Sequence, residues 1–346
     1  MDIADFDYDL PPELIAQEPL ADRSASRLMV LHRDTGAIEH RIFRELPEML
    51  RPEDVLVIND TRVMPARIFG HKLASGGRSE FLLLRPLEER LWEALARPAK
   101  RVRKGTEIAF TDRLGQLMAT AEVIAEEDEG IRHLRFAGER PVEELLSQIG
   151  QIPLPPYIHR TLPDPQRYQT VYARRLGSAA APTAGLHFTP ELLDAIAARG
   201  VAIVPITLHV GLGTFRPVTE MQVEAHQMHE EWYEISKEAA AMIRSRKASG
   251  GRIVAVGTTT VRTLESVASR YDGEVRADSG WSSLYIYPGF RYRAVDAIVT
   301  NFHLPKSTLL LMIAAFAGRD HVLQAYQEAV KHRYRFYSFG DAMFIV

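Results

Sequence analysis

The chain has 346 residues, 46% hydrophobic and 25% charged, with a formal net charge of −3; this is a globular composition, neither disordered nor membrane-embedded, and the length suits two domains. Area scaling hides about three quarters of the surface of a chain this long, so its stability needs no covalent staple. Cysteine is absent, which removes disulfides, thiolate nucleophiles and Cys-ligated zinc or iron–sulfur clusters.

The first nine residues hold four aspartates and neither a basic nor an apolar region, so they do not read as a secretory signal, and the cytoplasm is the expected location. Asp54 to Asn59 is a short β-branched run closed by a polar turn, hence a strand. From Arg78 to Phe136 the segments Glu80 to Leu84, Leu91 to Leu95, Leu117 to Ile124 and Ile131 to Phe136 are separated by turn clusters. Close-spaced strands without helices between them predict an antiparallel sheet or small barrel. A short helix near Val142 to Ile149 and a Pro-rich connector, Ile152 to Tyr157, mark the return from it.

Beyond the connector the pattern alternates. Thr189-Pro190-Glu191 opens a helix that stops at Gly200, and Val201 to Leu208 is a strand. Ser236 caps a helix to about Ser249, Arg252 to Val256 is extended, and Thr260 to Tyr271 is helical. Val295 to Thr300 is a strand, followed by helices near Ser307 to Ala317 and Asp320 to Arg333. Strand–helix–strand order predicts a mostly parallel sheet with flanking helices. The expected organisation is an α/β domain over residues 1–69 and 152–346, interrupted by a β-barrel domain over 70–151. The longest apolar stretch, Leu309 to Ala317, is about half of the ~20 residues a membrane span needs.

Nucleotide fingerprints fail: Gly211-Leu212-Gly213-Thr214-Phe215-Arg216 has Arg where the third glycine belongs, and Pro305-Lys306-Ser307-Thr308 lacks phosphate-loop glycines. Strand ends are still the favoured ligand position in an open α/β sheet. Gly257 to Arg262 joins a strand to a helix and combines N–H groups, hydroxyls and a guanidinium, which suits an anion or is simply a hydroxyl-rich cap. Asn59-Asp60-Thr61-Arg62 follows a strand, as a carboxylate and guanidinium for a ligand or as an Asx-type turn, and His209 and Asn301-Phe302-His303 also follow strands, as polar ligand contacts or as buried, hydrogen-bonded groups. Gly177 to Thr189 is rich in small residues, which predicts close backbone approach to a ligand, with His187 either reactive or structural. His226, His229 and Glu230 resemble part of a metal site, or form a polar face.

Charge is unevenly spread. Arg97, Lys100, Arg101, Arg103 and Lys104 crowd one stretch, and Glu122, Glu126, Glu127, Asp128 and Glu129 another. The first group, together with Arg160, Tyr168 and Arg174 after the connector, mixes cations with aromatic rings, which suits a single-stranded RNA loop or a solvated surface.

The runs Phe6-Asp7-Tyr8, Ser26-Arg27-Leu28, Asn59-Asp60-Thr61-Arg62-Val63, Tyr168 to Ala173, Ala180 to Phe188, Leu208 to Gly211 with Gly213-Thr214-Phe215, Met228-His229, Gly257-Thr258-Thr259 with Arg262 to Glu265, Thr300 to Pro305, and Tyr334-Arg335-Phe336 with Gly340 to Met343 resemble, in order, the S-adenosylmethionine:tRNA ribosyltransferase-isomerase family of queuosine biosynthesis. Ser282-Ser283 and Ala225 depart from it where acids are common.

The resemblance implies an α/β domain interrupted by a β-barrel. It also implies an enzyme that moves and isomerises the ribosyl group of S-adenosylmethionine onto the aminomethyl group of a 7-deazaguanine at the tRNA wobble position. The product is epoxyqueuosine, with adenine and methionine released. S-adenosylmethionine is then a co-substrate, with no bound cofactor or metal, no membrane and no obligate protein partner. The acid–base candidates are His187, His209, His303, Asp60, Glu230 and Asp341. The substrate-binding candidates are Arg62, Thr183, Gly213, Thr214, Thr258, Thr259, Arg262 and Asn301. The tRNA-binding candidates are Lys100, Arg101, Arg103, Lys104, Arg160, Tyr168 and Arg174. A noncatalytic tRNA-binding protein and a His/carboxylate metal hydrolase are the alternatives.

Overall fold

The computed structural model describes residues 1–160, 162–211 and 221–346. They form two compact units, one comprising Met1–Arg62, Pro155–Arg175 and Ala181–Val346, the other Val63–Leu154 with Leu176–Ala180.

The larger unit is built on a nine-stranded sheet. Its spatial order is Asp278–Ser282, Glu231–Ile235, Ala202–Leu208, Val55–Asn59, Ile253–Val256, Ala297–Asn301, Ala342–Ile345, Arg27–Leu31 and Ile38–Ile42. The sheet is mixed. The centre, from Ala202–Leu208 to Ala297–Asn301, is parallel. Val55–Asn59, Ile253–Val256 and Ala297–Asn301 are buried along their whole length, as expected of strands covered on both faces. Antiparallel partners extend both flanks: Glu231–Ile235 and Asp278–Ser282 on one side, Ala342–Ile345 and Ile38–Ile42 on the other.

Capping fixes where the helices begin. Thr189, Ser236 and Ser307 each accept a backbone N–H from the first turn of the helix they precede, Pro190–Ala198, Lys237–Ala248 and Thr308–Ala317, which satisfies a donor that the helix leaves open. The Thr258–Arg270 helix starts two residues earlier than the sequence pattern suggests. Gly257, at φ 85°, turns the chain from strand into helix in a conformation that a side chain would strain.

The smaller unit contains a closed antiparallel barrel of six strands, in the order Ile131–Phe136, Leu91–Arg97, Arg78–Glu88, Arg67–Lys72, Glu107–Thr111 and Leu117–Glu126. Phe81, Trp92, Phe110, Val123 and Leu134 fill its interior. Two strands, Arg67–Lys72 and Glu107–Thr111, were not anticipated. Each is short and carries charged or glycine positions that obscure the alternation. Barrel pairing therefore begins at Arg67, ahead of residue 70, because the chain is already hydrogen-bonded to the Arg78–Glu88 strand there.

Candidate active site

In the larger unit the four parallel strands end side by side. Ile206 pairs with Asn59, Val57 with Ala255, and Val256 with Val299. The residues that follow, Asp60-Thr61, His209, Gly257-Thr258-Thr259 and Phe302-His303, therefore share one rim of the sheet, the carboxyl edge where open α/β sheets take ligands.

Asn59 ties three of these ends together. Its Nδ2 donates to the Leu208 carbonyl (3.0 Å) and to Thr259 Oγ1 (3.2 Å), while its Oδ1 accepts from the backbone N–H groups of Thr61 and Leu208 (3.1 Å each). Asp60, next along the chain, is buried. Thr207 Oγ1 donates to its Oδ1 (2.7 Å) and Arg174 Nη2 to its Oδ2 (3.0 Å). Arg174 is otherwise exposed, so Asp60 holds a cation at the surface from beneath.

His209 lies against the face of Trp232, with ring centroids 5.2 Å apart, and its Nδ1 is 2.7 Å from Thr61 Oγ1. Burial pushes this imidazole down to about 4, with Asp60 opposing the shift. The ring is neutral at pH 7, as a general base must be.

Other candidates have different surroundings. His303 is buried, with Nε2 2.8 Å from Thr300 Oγ1, and desolvation lowers it to about 3. Its backbone N–H donates to Tyr326 and its carbonyl accepts from Tyr8, so tyrosines fix it at the rim. Thr183 Oγ1 donates to Asn301 Oδ1 (2.8 Å), and Asn301 Nδ2 donates to the Tyr337 carbonyl (3.2 Å). That contact brings the loop of small residues onto the rim. Tyr337 is held there at φ 69° with its hydroxyl buried and without a hydrogen-bond partner among the described residues, a strained backbone of the kind found at functional positions.

Several expected roles do not fit. His187 is enclosed: Nδ1 is 3.1 Å from the Ala184 carbonyl, Nε2 is 3.0 Å from the Gly340 carbonyl, and the ring stacks on Phe43. Burial lowers its pKa and favours the neutral ring, which donates to one of these two carbonyls. Asp341 accepts the backbone N–H groups of Arg27 (2.9 Å) and Arg335 (2.8 Å). Glu230 is exposed. Arg262 is not an open anion cradle: its Nη1 is 2.5 Å from Glu231 Oε2 in a buried ion pair, and Glu231 Oε1 accepts the Gly211 N–H at 2.8 Å. The two charges cancel inside the protein. Arg62 is half-buried and makes no ion pair among the described residues. Gly213 and Thr214 lie outside the described residues.

The close backbone approach expected in the small-residue loop is to the protein itself. A Cβ on Gly185 would sit 2.1 Å from the Tyr172 hydroxyl. Tyr168 is fully buried, so its face is unavailable to a nucleobase. Arg160 is exposed and paired with Glu18 (3.3 Å).

In the barrel unit, Lys100, Arg101, Arg103 and Lys104 are exposed around buried Val102. The buried Arg132 guanidinium holds this turn from inside, donating to the carbonyls of Val102 (2.6 Å), Ala99 (2.9 Å) and Ile131 (2.6 Å). The acidic run is not remote from it. Glu126 accepts the Lys104 N–H (2.8 Å) and pairs with Arg132 (3.4 Å).

The profile of the queuosine biosynthesis protein family matches residues 3–345. The chain belongs to this family. It is 60% identical over 346 residues, all of both chains, to a protein of Symbiobacterium thermophilum named S-adenosylmethionine:tRNA ribosyltransferase-isomerase. It is also similar to the crystal structure of the S-adenosylmethionine tRNA ribosyltransferase of Thermotoga maritima, at 43% identity and a TM-score of 0.58, covering 99% of this chain and 100% of that one.

For this queuosine-family chain, sequence reasoning missed Thr207, Glu231 and Trp232. Glu231 follows Glu230 directly, and strand alternation could have signalled it: Glu231, Tyr233 and Ile235 are the buried positions of their strand.

Proposed function

We propose that the chain transfers and isomerises the ribosyl group of S-adenosylmethionine onto the aminomethyl group of 7-aminomethyl-7-deazaguanine at the wobble position of a tRNA, giving epoxyqueuosine and releasing adenine and methionine. The observation that carries this reading at the level of the site is the neutral His209 at the same rim as Asn59, Asp60 and Thr259, in a chain that shares 60% identity with the named relative.

The chemistry begins with loss of a proton from the sugar carbon next to the sulfonium, whose positive charge acidifies it. His209 is the base. With Nδ1–H donating to Thr61 Oγ1, the lone pair resides on Nε2, and stacking on Trp232 holds the ring plane. Asp60, fixed by Thr207 and Arg174, takes a proton from the acceptor ammonium so that a neutral amine attacks, and the proton that His209 has taken passes to the departing adenine. The first N–H groups of the Thr258–Arg270 helix have no side-chain cap, and together with Thr258 and Thr259 they meet the methionine carboxylate. Arg262 contributes only indirectly, by keeping Glu231 on the Gly211 backbone.

The tRNA is the partner in this reading, and its anticodon loop offers unpaired bases that enter a pocket without melting a duplex. Lys100, Arg101, Arg103 and Lys104 meet its phosphates. The chain acts in the cytoplasm, in keeping with that substrate; among the described residues no helix is long and apolar enough to cross a membrane. Incubation with S-adenosylmethionine and precursor-bearing tRNA releases adenine in step with RNA modification. Binding of tRNA without adenine release, unaffected by His209→Asn, would instead favour a noncatalytic RNA-binding protein.

A further inference from the structure

The strand Ile38–Ile42 forms one edge of the sheet, five strand spacings from Val55–Asn59 in the spatial order, or about 24 Å at ~4.8 Å per spacing. On this edge His40 meets the end of the last helix, Arg319–Lys331, where Glu328 and His332 stand one turn apart. One donor atom from each of His40, Glu328 and His332 lies within 4.8 Å of the other two. Glu328 Oε1 is 2.7 Å from His332 Nε2 and 3.9 Å from His40 Nε2. In a tetrahedral site with metal–ligand bonds of ~2.0–2.1 Å, neighbouring donors stand about 3.3 Å apart. The two separations fall on either side of that edge, and the third lies within 4.8 Å.

A second layer of contacts already orients these donors. His40 Nδ1 is 2.7 Å from the Tyr334 hydroxyl. If that contact is read as Nδ1–H donating to the phenol oxygen, the basic lone pair falls on Nε2, the atom facing Glu328, as in the outer shell of metal-bound histidines. Arg27 lies over the Tyr334 ring at 3.9 Å and donates to the His332 carbonyl at 2.9 Å, fixing the backbone of the third donor. Lys331 Nζ, 3.6 Å from Glu328 Oε2, is the cation a metal would displace. Among the described residues no other three such side chains converge this way, the pair His226 and His229 included.

We propose that His40, Glu328 and His332 form a binding site for a borderline divalent transition metal, with zinc as the reference ion and water in the fourth position. Two imidazoles and one carboxylate favour zinc over magnesium or calcium, which take oxygen donors. The site lies at the far edge of the sheet from Asn59 and Asp60, so the metal clips the edge strand to the last helix and takes no part in ribosyl transfer.

The test uses the full chain freed of metal by chelation and dialysis, titrated with zinc chloride by calorimetry and followed by thermal unfolding. One equivalent of zinc binds and raises Tm, while magnesium chloride at the same concentration does not. His40→Ala and His332→Ala each weaken zinc binding by at least about tenfold. Tyr334→Phe, which keeps all three ligands, weakens it about tenfold through loss of the outer contact. Lys331→Ala tightens it, a gain that misfolding cannot mimic. The three ligand side chains are between 30% and 46% exposed, so circular dichroism should find each single variant folded. Absence of zinc binding to the unaltered chain, or undiminished binding by the His40→Ala, His332→Ala double variant, overturns the proposal.

Discussion

The rim of the sheet and the basic turn of the barrel are both rich in charged residues, and they handle charge in opposite ways. At the rim, charge is buried and neutralised in pairs: Arg262 on Glu231, and Asp60 between Thr207 and Arg174. On the barrel, Arg132 alone is buried, bound to carbonyls and Glu126, while Lys100, Arg101, Arg103 and Lys104 stand in water. A buried pair contributes rigidity and is costly to break from one side, because the remaining charge has no solvent to turn to. An exposed cluster contributes little to stability, yet its field attracts a polyanion and is weakened by salt.

The sharpest break of this contrast is Glu231→Gln, which leaves Arg262 buried with half its pairing. It should lower the unfolding free energy by about 3–5 kcal/mol, measured by urea denaturation. A loss no larger than that of an exposed substitution would mean the rim does not depend on the pair.

His209→Asn comes next. It keeps a polar group of similar size and should reduce turnover by about 10²–10⁴-fold, the usual worth of a general base, with the unfolding midpoint little changed. Because burial holds His209 at about 4, the base is unprotonated well below neutrality. Turnover in the unaltered enzyme should therefore persist through pH 6.5 and fall only towards pH 4. An acid limb centred near 6.5 would point to an exposed histidine instead.

The same depressed values carry a sign for stability. Between the unfolded value of about 6.5 and the folded values of about 4 for His209 and about 3 for His303, the unfolded chain binds protons that the folded chain excludes. Stability is therefore complete above about 6.5 and is lost as the pH falls through that interval. Urea midpoints compared at pH 7 and pH 5 check it.

On the barrel, replacing Lys100, Arg101, Arg103 and Lys104 together by alanine should shift stability little. It should weaken tRNA binding and reduce the slope of log affinity against log salt by about 3, at ~0.7 per lost phosphate contact. Unchanged binding across salt concentrations would remove the barrel turn from the RNA surface. The smallest effect is expected from Thr61→Val, which deletes one hydrogen bond to His209. A cost of about 0.5–1.5 kcal/mol corresponds to a two- to tenfold loss in turnover, with substrate binding maintained.

Much of this molecule can be read from local pattern. Thr189, Ser236 and Ser307 announce their helices because capping is a contact between near neighbours, and the Val142–Ile149 helix has the expected bounds. The barrel strands that alternate cleanly are legible for the same reason, whereas Arg67–Lys72 and Glu107–Thr111 take their conformation from partners distant in the chain. In the site, Asn59, Asp60 and His209 stand out as polar residues at strand ends.

The sequence by itself determined the element types, the barrel's place in the chain and the family, because these depend on periodicity, caps and long runs of ordered residues. Only the tertiary structure decided which polar groups are in use. His187, Arg262 and Asp341 look as reactive in sequence as His209 does, but each meets a partner between 31 and 314 residues away in the chain. Whether a side chain is left to do chemistry depends on what satisfies its hydrogen bonds and how far it is removed from water, and both are set by contacts that no local pattern encodes.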